Sequence, residues 1–294
     1  MRTKKMWEMT WPEVQEAIEN GMGVMLPVGA IEQHGCHLPL VTDTIIPTRL
    51  CTEIAENTNM IVAAPVSYGT YSRPQSGGGQ GFIGTTSVTG ITLVHQVEDI
   101  LREFLRHGFK KIVIFNWHME NSNFLYEAAY RATERGTRMD VKVVVMETPF
   151  DSFDDQTMAV LYPDGFPGWG LEHAAMFETA IMLHIAPELV HMERAVDGEV
   201  EDKAFYDVLP IEQRFTTPSG SLWKATLATK EKGACAWNAL LNTLIPVIRK
   251  EFEEYGGKRY DCLTEIYRLF FTSLGRFSAS TRKFLKKIGG RHGY

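Results

Sequence analysis

The sequence predicts an α/β fold, a three-layer α/β/α domain around a mostly parallel central sheet, extended at its C-terminus by helices. Two observations carry this prediction. Four short apolar runs rich in β-branched residues, GVMLPV at 23–28, MIVAAPV at 60–66, KIVIF at 111–115 and VKVVVME at 141–147, read as strands buried on both faces. Helix-period patterns separate them, and strand alternating with helix is the pattern of a parallel sheet covered on both sides.

In chain order, Thr10 and Glu13 form a capping box with Pro12 in the first turn, which predicts a helix over 10–20 that stops before Gly21. The first strand leads into a loop rich in acids and histidine, then a helix over 45–57. The second strand opens onto 67–88, SYGTYSRPQSGGGQGFIGTTSV, a glycine-rich loop long enough to be functional. Val94, Val97, Ile100, Leu101 and Leu105 recur at helical spacing and stop near Gly108; the third strand follows, then a helix over 121–135 and the fourth strand. A helix carrying Ala175, Phe177, Ile181 and Met182 comes after WGLEH at 169–173. Residues 187–235 look irregular, with strand-like fragments, and a helix over 236–254 closes a main domain of 1–255. Residues 256–294 read as a basic helical extension, in which Leu263, Ile266, Tyr267, Phe270, Phe271 and Leu274 form an apolar helical face.

The chain has 294 residues and a formal net charge of −6. That charge is uneven: 256–294 holds nine Lys/Arg against two acids, so the tail is +7 and the rest −13. An acidic body excludes a broad nucleic-acid footprint. No apolar run reaches the length of a membrane span, and MRTKKMWEMTWPE lacks the features of a signal peptide. The four cysteines show no CxxC spacing, so they read as reduced thiols of a cytoplasmic protein.

The chemistry is concentrated in two segments. LPVGAIEQHGCHLPLVTD at 26–43 supplies Glu32, His34 and Asp43, and NWHMENS at 116–122 supplies His118 and Glu120. Each follows a predicted strand, the position where sites form in open α/β sheets. Imidazole and carboxylate without thiolate suit two catalytic divalent ions such as zinc or manganese. Five ligands serve two ions only if one bridges, and Asp43, the unpaired carboxylate, is the natural bridge. Three carboxylates, two M²⁺ ions and one hydroxide balance in charge, and such a pair implies hydrolysis. His37 reads as either a group behind the ligands or a surface residue, and Cys36 as a small loop filler.

Together with SGGGQGFIGTTS at 76–87 and GWGLEHAAMFET at 168–179, these segments resemble the creatininase (creatinine amidohydrolase) family across roughly 7–255. The resemblance implies that Glu32, Asp43 and His118 hold one metal while His34, Asp43 and Glu120 hold the other. It also implies zinc or manganese, a single α/β/α domain and a homo-oligomer, commonly a hexamer. His173 and Glu172 become an acid/base pair, with Glu120 beside them. Ser76, Met119, Trp169, Gly170 and Glu172 become substrate contacts. Four departures stand around the pocket: Met119 replaces a tyrosine, Trp117 a glycine and Gly170 an aspartate, and a pocket tryptophan after the fourth strand is missing, leaving Phe150 or Phe153. The implied activity is ring opening of a small polar cyclic substrate by a metal-bound hydroxide, creatinine to creatine. The alternatives are a cyclic keto-polyol such as 3-dehydro-scyllo-inosose, a formamide, or a metal-binding assembly protein without activity.

Overall fold

In a computed structural model of the full chain, the described residues are all except 78, 199–205, 211–216 and 255–294. Contacts divide the chain into two units, Met1–Lys250 and Glu251–Tyr294. The predicted helical extension at 256–294 lies outside the described residues.

Four parallel strands, β1 (Gly23–Val28), β2 (Met60–Val62), β3 (Lys111–Asn116) and β4 (Lys142–Met146), form one sheet in the order β2-β1-β3-β4. Side chains alternate across it. Val24, Leu26, Val28, Ile112 and Ile114 face a core shared with α1 (Trp11–Glu19), α3 (Gly90–His107) and α4 (Ser122–Ala132). Met25, Val113 and Phe115 are equally buried but stand outside that core, on the side of α2 (Thr42–Glu56), α6 (Met176–Ile185) and α7 (Lys230–Arg249). The three-layer prediction holds.

Local chemistry sets the helix ends. The Glu13 side chain accepts the Thr10 N–H at 2.7 Å, completing the predicted start of α1. Thr89 and Thr229 cap α3 and α7 by accepting the Thr92 and Lys232 N–H groups, and Gly108 ends α3 in the left-handed region.

Several expectations change. β2 ends at Val62, because Pro65 has no N–H to continue a ladder. β1, β2 and β3 are buried along nearly their whole length, the edge strand β2 being covered by the segment at Lys4–Lys5, whereas β4, the other edge, is mostly half-buried. α7 begins six residues before the predicted 236, where Thr229 provides the cap. A short helix, α5 (Asp155–Leu161), was not predicted: it buries one residue, too little for a periodic signal, and relies on the Asp154 cap. Within 187–229 the described residues hold only single 3₁₀ turns and no strand, and 230–235 already belong to α7.

Candidate metal centre

The strand ends deliver the site. After β1 the chain turns back on itself, with the Glu32 N–H bonded to the Leu40 carbonyl at 2.9 Å, and enters α2 at Thr42. α2 therefore starts three residues earlier than predicted and carries Asp43 in its first turn, where the positive helix end favours a carboxylate. Gly29 makes this return possible: a Cβ there would meet the Asp43 carbonyl oxygen at 2.2 Å. His118 follows β3. Buried Asn121 ties the loops together, donating to the Gly29 carbonyl at 3.0 Å and accepting the Thr70 N–H at 2.9 Å.

Asp43 lies between two imidazoles. Its Oδ1 is 3.1 Å from His34 Nε2 and its Oδ2 is 3.1 Å from His118 Nδ1. Each ring is oriented by its other nitrogen. His34 Nδ1 lies 3.1 Å from the Glu32 carbonyl and His118 Nε2 lies 3.2 Å from the Thr70 carbonyl. Carbonyls only accept, so those nitrogens carry protons, and the opposite nitrogens, facing the carboxylates, are the ones whose lone pairs a metal ion would take in place of a proton. Backbone-anchored histidines of this kind are typical metal ligands. Glu32 Oε2 completes one group, 3.1 Å from His118 Nδ1.

The other group departs from expectation. The carboxylate that joins His34 and Asp43 is that of Glu178, with Oε2 3.6 Å from His34 Nε2. Glu178 is on the first turn of α6 and is held by two donors, the Trp117 indole at 3.2 Å and the Ala174 N–H at 2.8 Å. Ala174 has φ +50°, a left-handed conformation that costs a non-glycine residue energy and aims its N–H at this carboxylate. Glu120 is elsewhere: its Oε1 accepts the Ser76 hydroxyl and the Arg73 N–H (3.2 Å), and its Oε2 is 3.6 Å from His118 Nε2. The spacing of the H-x-E pair mirrors that of E-x-H, but the 3₁₀ turn at Met119–Asn121 points Glu120 toward the glycine-rich loop instead of His34.

These residues fit divalent cations. Glu32, His34, Asp43 and His118 are each under 5 % exposed, and Glu32 Oε1 and His34 Nε2 are buried without any hydrogen-bond partner. Converging buried carboxylates require compensating positive charge. Burial opposes protonation of both histidines, yet the carboxylates overcome it and raise their proton affinity well above the usual range, Asp43 and Glu178 acting on His34, Glu32 and Asp43 on His118. The same field attracts a metal ion. His37, by contrast, is fully buried and not on the surface: its Nε2 meets the Thr179 hydroxyl at 2.8 Å, and burial together with nearby His34 lowers its pKa to about 4.

A cavity of about 180 Å³ opens above the acids. Ser76, Met119, Glu120, Trp169, Gly170 and His173 line it, as do Glu172, Glu147 and Thr148. Of the two phenylalanines Phe150 and Phe153, Phe150 lines the cavity, stacked on Trp169 with ring centroids 4.5 Å apart. Trp117 reaches the metal-side carboxylate Glu178, so that departure touches more than the pocket. His173 faces His34 with centroids 4.6 Å apart, and its Nε2 is 4.0 Å from Glu32 Oε1. Gln33 sets its tautomer: the Gly35 N–H donates to Gln33 Oε1 at 2.9 Å, so the amide nitrogen faces His173 Nε2, also at 2.9 Å, and that nitrogen accepts. Glu172 is buried; desolvation raises its pKa to about 7 even though the Phe177 N–H donates to it at 2.9 Å. Glu147, Glu178 and Gln33 were not predicted. The readable signal for Glu178 was a carboxylate alone in the apolar run AAMFETAIM.

No helix among the described residues is long and apolar enough to cross a membrane. The family described as Creatininase (creatinine amidohydrolase) matches residues 7–248. A creatinine amidohydrolase of Pseudomonas putida is 40 % identical over 83 % of this chain and 96 % of that protein. A 3-dehydro-scyllo-inosose hydrolase of Thermotoga maritima is 27 % identical over 84 % and 83 %, and a mycofactocin precursor peptide peptidase of Mycolicibacterium smegmatis 32 % over 60 % and 62 %. Solved structures of a manganese creatininase and of a mutant creatininase of Zn-Zn type both superpose with TM-score 0.82, at 38 % and 37 % identity, over 86 % of this chain and all of theirs. A mutant creatininase complexed with creatine matches with TM-score 0.81 at 38 % identity over the same shares. With its fold, its buried histidine and carboxylate groups and these matches, the chain belongs to the creatininase family and is one of its metal-dependent hydrolases.

Proposed function

We propose that the chain is a two-metal hydrolase that opens a small polar ring at a C–N bond, as in the conversion of creatinine to creatine. One observation carries the two-metal part: the Asp43 carboxylate spans His34 and His118, one oxygen to each, while both rings are anchored to backbone carbonyls. We assign one ion to Glu32, Asp43 and His118, and the other to His34, Asp43 and Glu178, with Asp43 shared; zinc or manganese suits these donors. A divalent pair supplies Lewis acidity, acidifying water and polarising a carbonyl.

The remaining steps fall to protein groups. Glu120, tied by Ser76 and the Arg73 amide rather than by His34, is free to take the proton of the attacking water. Glu172 keeps a proton near neutrality because burial raises its pKa to about 7. It thereby serves as a local proton store in the same lining, and His173, its Nε2 accepting from Gln33, gives its Nδ1 proton to the leaving nitrogen as the Glu172 proton replaces it. The Phe150–Trp169 stack provides a flat wall for a planar ring. A cavity of about 180 Å³, at the small end for ligand pockets, suits a small molecule.

A second reading, ring opening of a cyclic keto-polyol, is favoured by the Thermotoga maritima relative and by the polar Glu147 and Thr148 in the lining. Screening the zinc- and manganese-loaded protein with creatinine, other cyclic amides, formamides and keto-inositols separates the readings. Creatine formation supports the first, and turnover of keto-inositol alone replaces it with the second. We further infer a cytoplasmic homo-oligomer, hexameric as in the resembling family. The free thiols Cys36, Cys51 and Cys235 agree with the compartment, and light scattering on the eluting protein tests the assembly.

A further inference from the structure

The glycine-rich loop is held between two carboxylates. On its inner side Glu120 accepts the Arg73 N–H and the Ser76 hydroxyl. On its outer side stands Asp207, more than 130 residues later in the chain. Asp207 Oδ2 accepts Arg73 Nε at 2.7 Å and Gln75 Nε2 at 3.0 Å, and Oδ1 accepts the Gln75 N–H at 3.2 Å. Asp207 itself does not line the cavity.

Beyond this doubly held turn the backbone lies against the site. A Cβ at Gly77 would meet His173 Cδ2 at 2.4 Å, and Gly77 adopts φ +122°, so no other residue fits there without strain. Gln33, which orients His173, donates to the Gly77 carbonyl at 3.2 Å. A Cβ at Gly79 would come within 2.5 Å of Glu32 Oε1. The bare backbone at these glycines therefore forms a wall behind the imidazole and the Glu32 carboxylate.

We propose that Asp207 is a positioning residue: by fixing the 73–77 turn it holds the backbone wall that sets the place of the His173 ring. Three hydrogen bonds on one carboxylate, one of them from a guanidinium, make a specific clamp instead of a loose surface pair. A catalytic ring displaced by about 1 Å loses on the order of a hundredfold in rate. The effect of Asp207 on turnover rests on the assignment of His173 as the proton donor; its effect on the ring's position does not.

The test compares metal-loaded full-length wild type with Asp207→Asn. It follows hydrogen–deuterium exchange of a peptide covering 71–77, the NMR signal of the ¹³C-labelled His173 ring (assigned by its absence in His173→Gln), metal content, and kcat and KM on the substrate found by screening. The expected result is faster exchange in 71–77 with exchange in α3 unchanged, a shifted or broadened His173 signal and two ions retained. With a substrate in hand, kcat falls at least about tenfold while KM changes little. Unchanged exchange or an unchanged ring signal overturns the proposal whether or not any substrate is turned over. Unchanged kcat in an active enzyme overturns it as well. Wild-type inactivity on every substrate together with the exchange and ring effects counts against the proposed function alone. If Asp207→Asn does not fold, Arg73→Gln combined with Gln75→Ala removes the same contacts from the other side and is read the same way.

Discussion

The floor of the cavity and its mouth are built from the same strand-end loops but hold their side chains differently. On the floor, Glu32, His34, Asp43 and His118 are buried, and the histidines and Glu178 are each oriented by a backbone group. At the mouth, Met119 is 59 % exposed and Gly170 and Glu147 are exposed, Glu147 accepting the Ser122 hydroxyl at 2.7 Å. Buried groups that satisfy one another lose heavily when one is removed. Exposed contacts around a pocket are worth about 1–3 kcal/mol each. On the proposed assignment the hydrolytic chemistry sits on the buried part, and substrate choice on the exposed part that changes cheaply.

The largest expected effect is on the floor. Asp43→Ala removes the one carboxylate shared by both groups, so the protein should lose both ions and at least about a thousandfold in turnover. Metal analysis of the purified variant checks this; two retained ions would exclude the bridge. Next come the paired variants Glu178→Gln and Glu120→Gln. The first should weaken one ion by more than about a hundredfold, beyond what removal of a supporting hydrogen bond costs. The second should keep two ions and lose turnover. Competition with a chelator reads the affinities, and the opposite pattern would return Glu120 to the ligand set.

A third prediction lies at the boundary between the two regions. Glu172 has its pKa raised from 4.5 to about 7 by burial. Folding therefore favours the protonated acid: the cost of burying it is absent below pH 4.5, grows as pH rises toward 7 and is constant above. Glu172→Gln carries no charge, so the metal-free variant should gain stability over wild type between pH 5 and pH 8, by about 3 kcal/mol at most. Parallel denaturant-unfolding curves at the two pH values would show that the carboxyl is not held protonated. The smallest effect belongs to the mouth. Met119→Tyr should leave metal content unchanged and shift kcat/KM between ring substrates by about tenfold or less. Loss of an ion there would break the division between floor and mouth.

The sequence disclosed the floor better than the mouth, for physical reasons. E-x-H and H-x-E place ligand types side by side after apolar strands, so Glu32, His34, Asp43, His118 and Glu120 stood out from local spacing alone. Glu178 did not, because the histidine and aspartate it meets lie over 130 residues away and its own neighbours are apolar. A lone carboxylate within AAMFETAIM was the visible sign, since a buried charge needs a partner. Asp207 was passed over although it too is a lone carboxylate in an apolar run, AFYDVLP, because its partners are equally remote. The exposure of β4 was illegible because strand order, and what covers each edge (fully at β2, partly at β4), is encoded in no single strand. The early start of α2 was missed because its first turn is TDT, polar residues recruited by the site and outside the apolar period.

The central claim is that two ions share Asp43, with Glu178 and not Glu120 completing the second position. Anomalous diffraction at the manganese or zinc edge from metal-loaded crystals tests it most directly. The account predicts two peaks about 3.5–4 Å apart, each in contact with one Asp43 oxygen, the second also in contact with His34 and Glu178. A single peak, or a second peak bound by Glu120 with Glu178 out of reach, would contradict it.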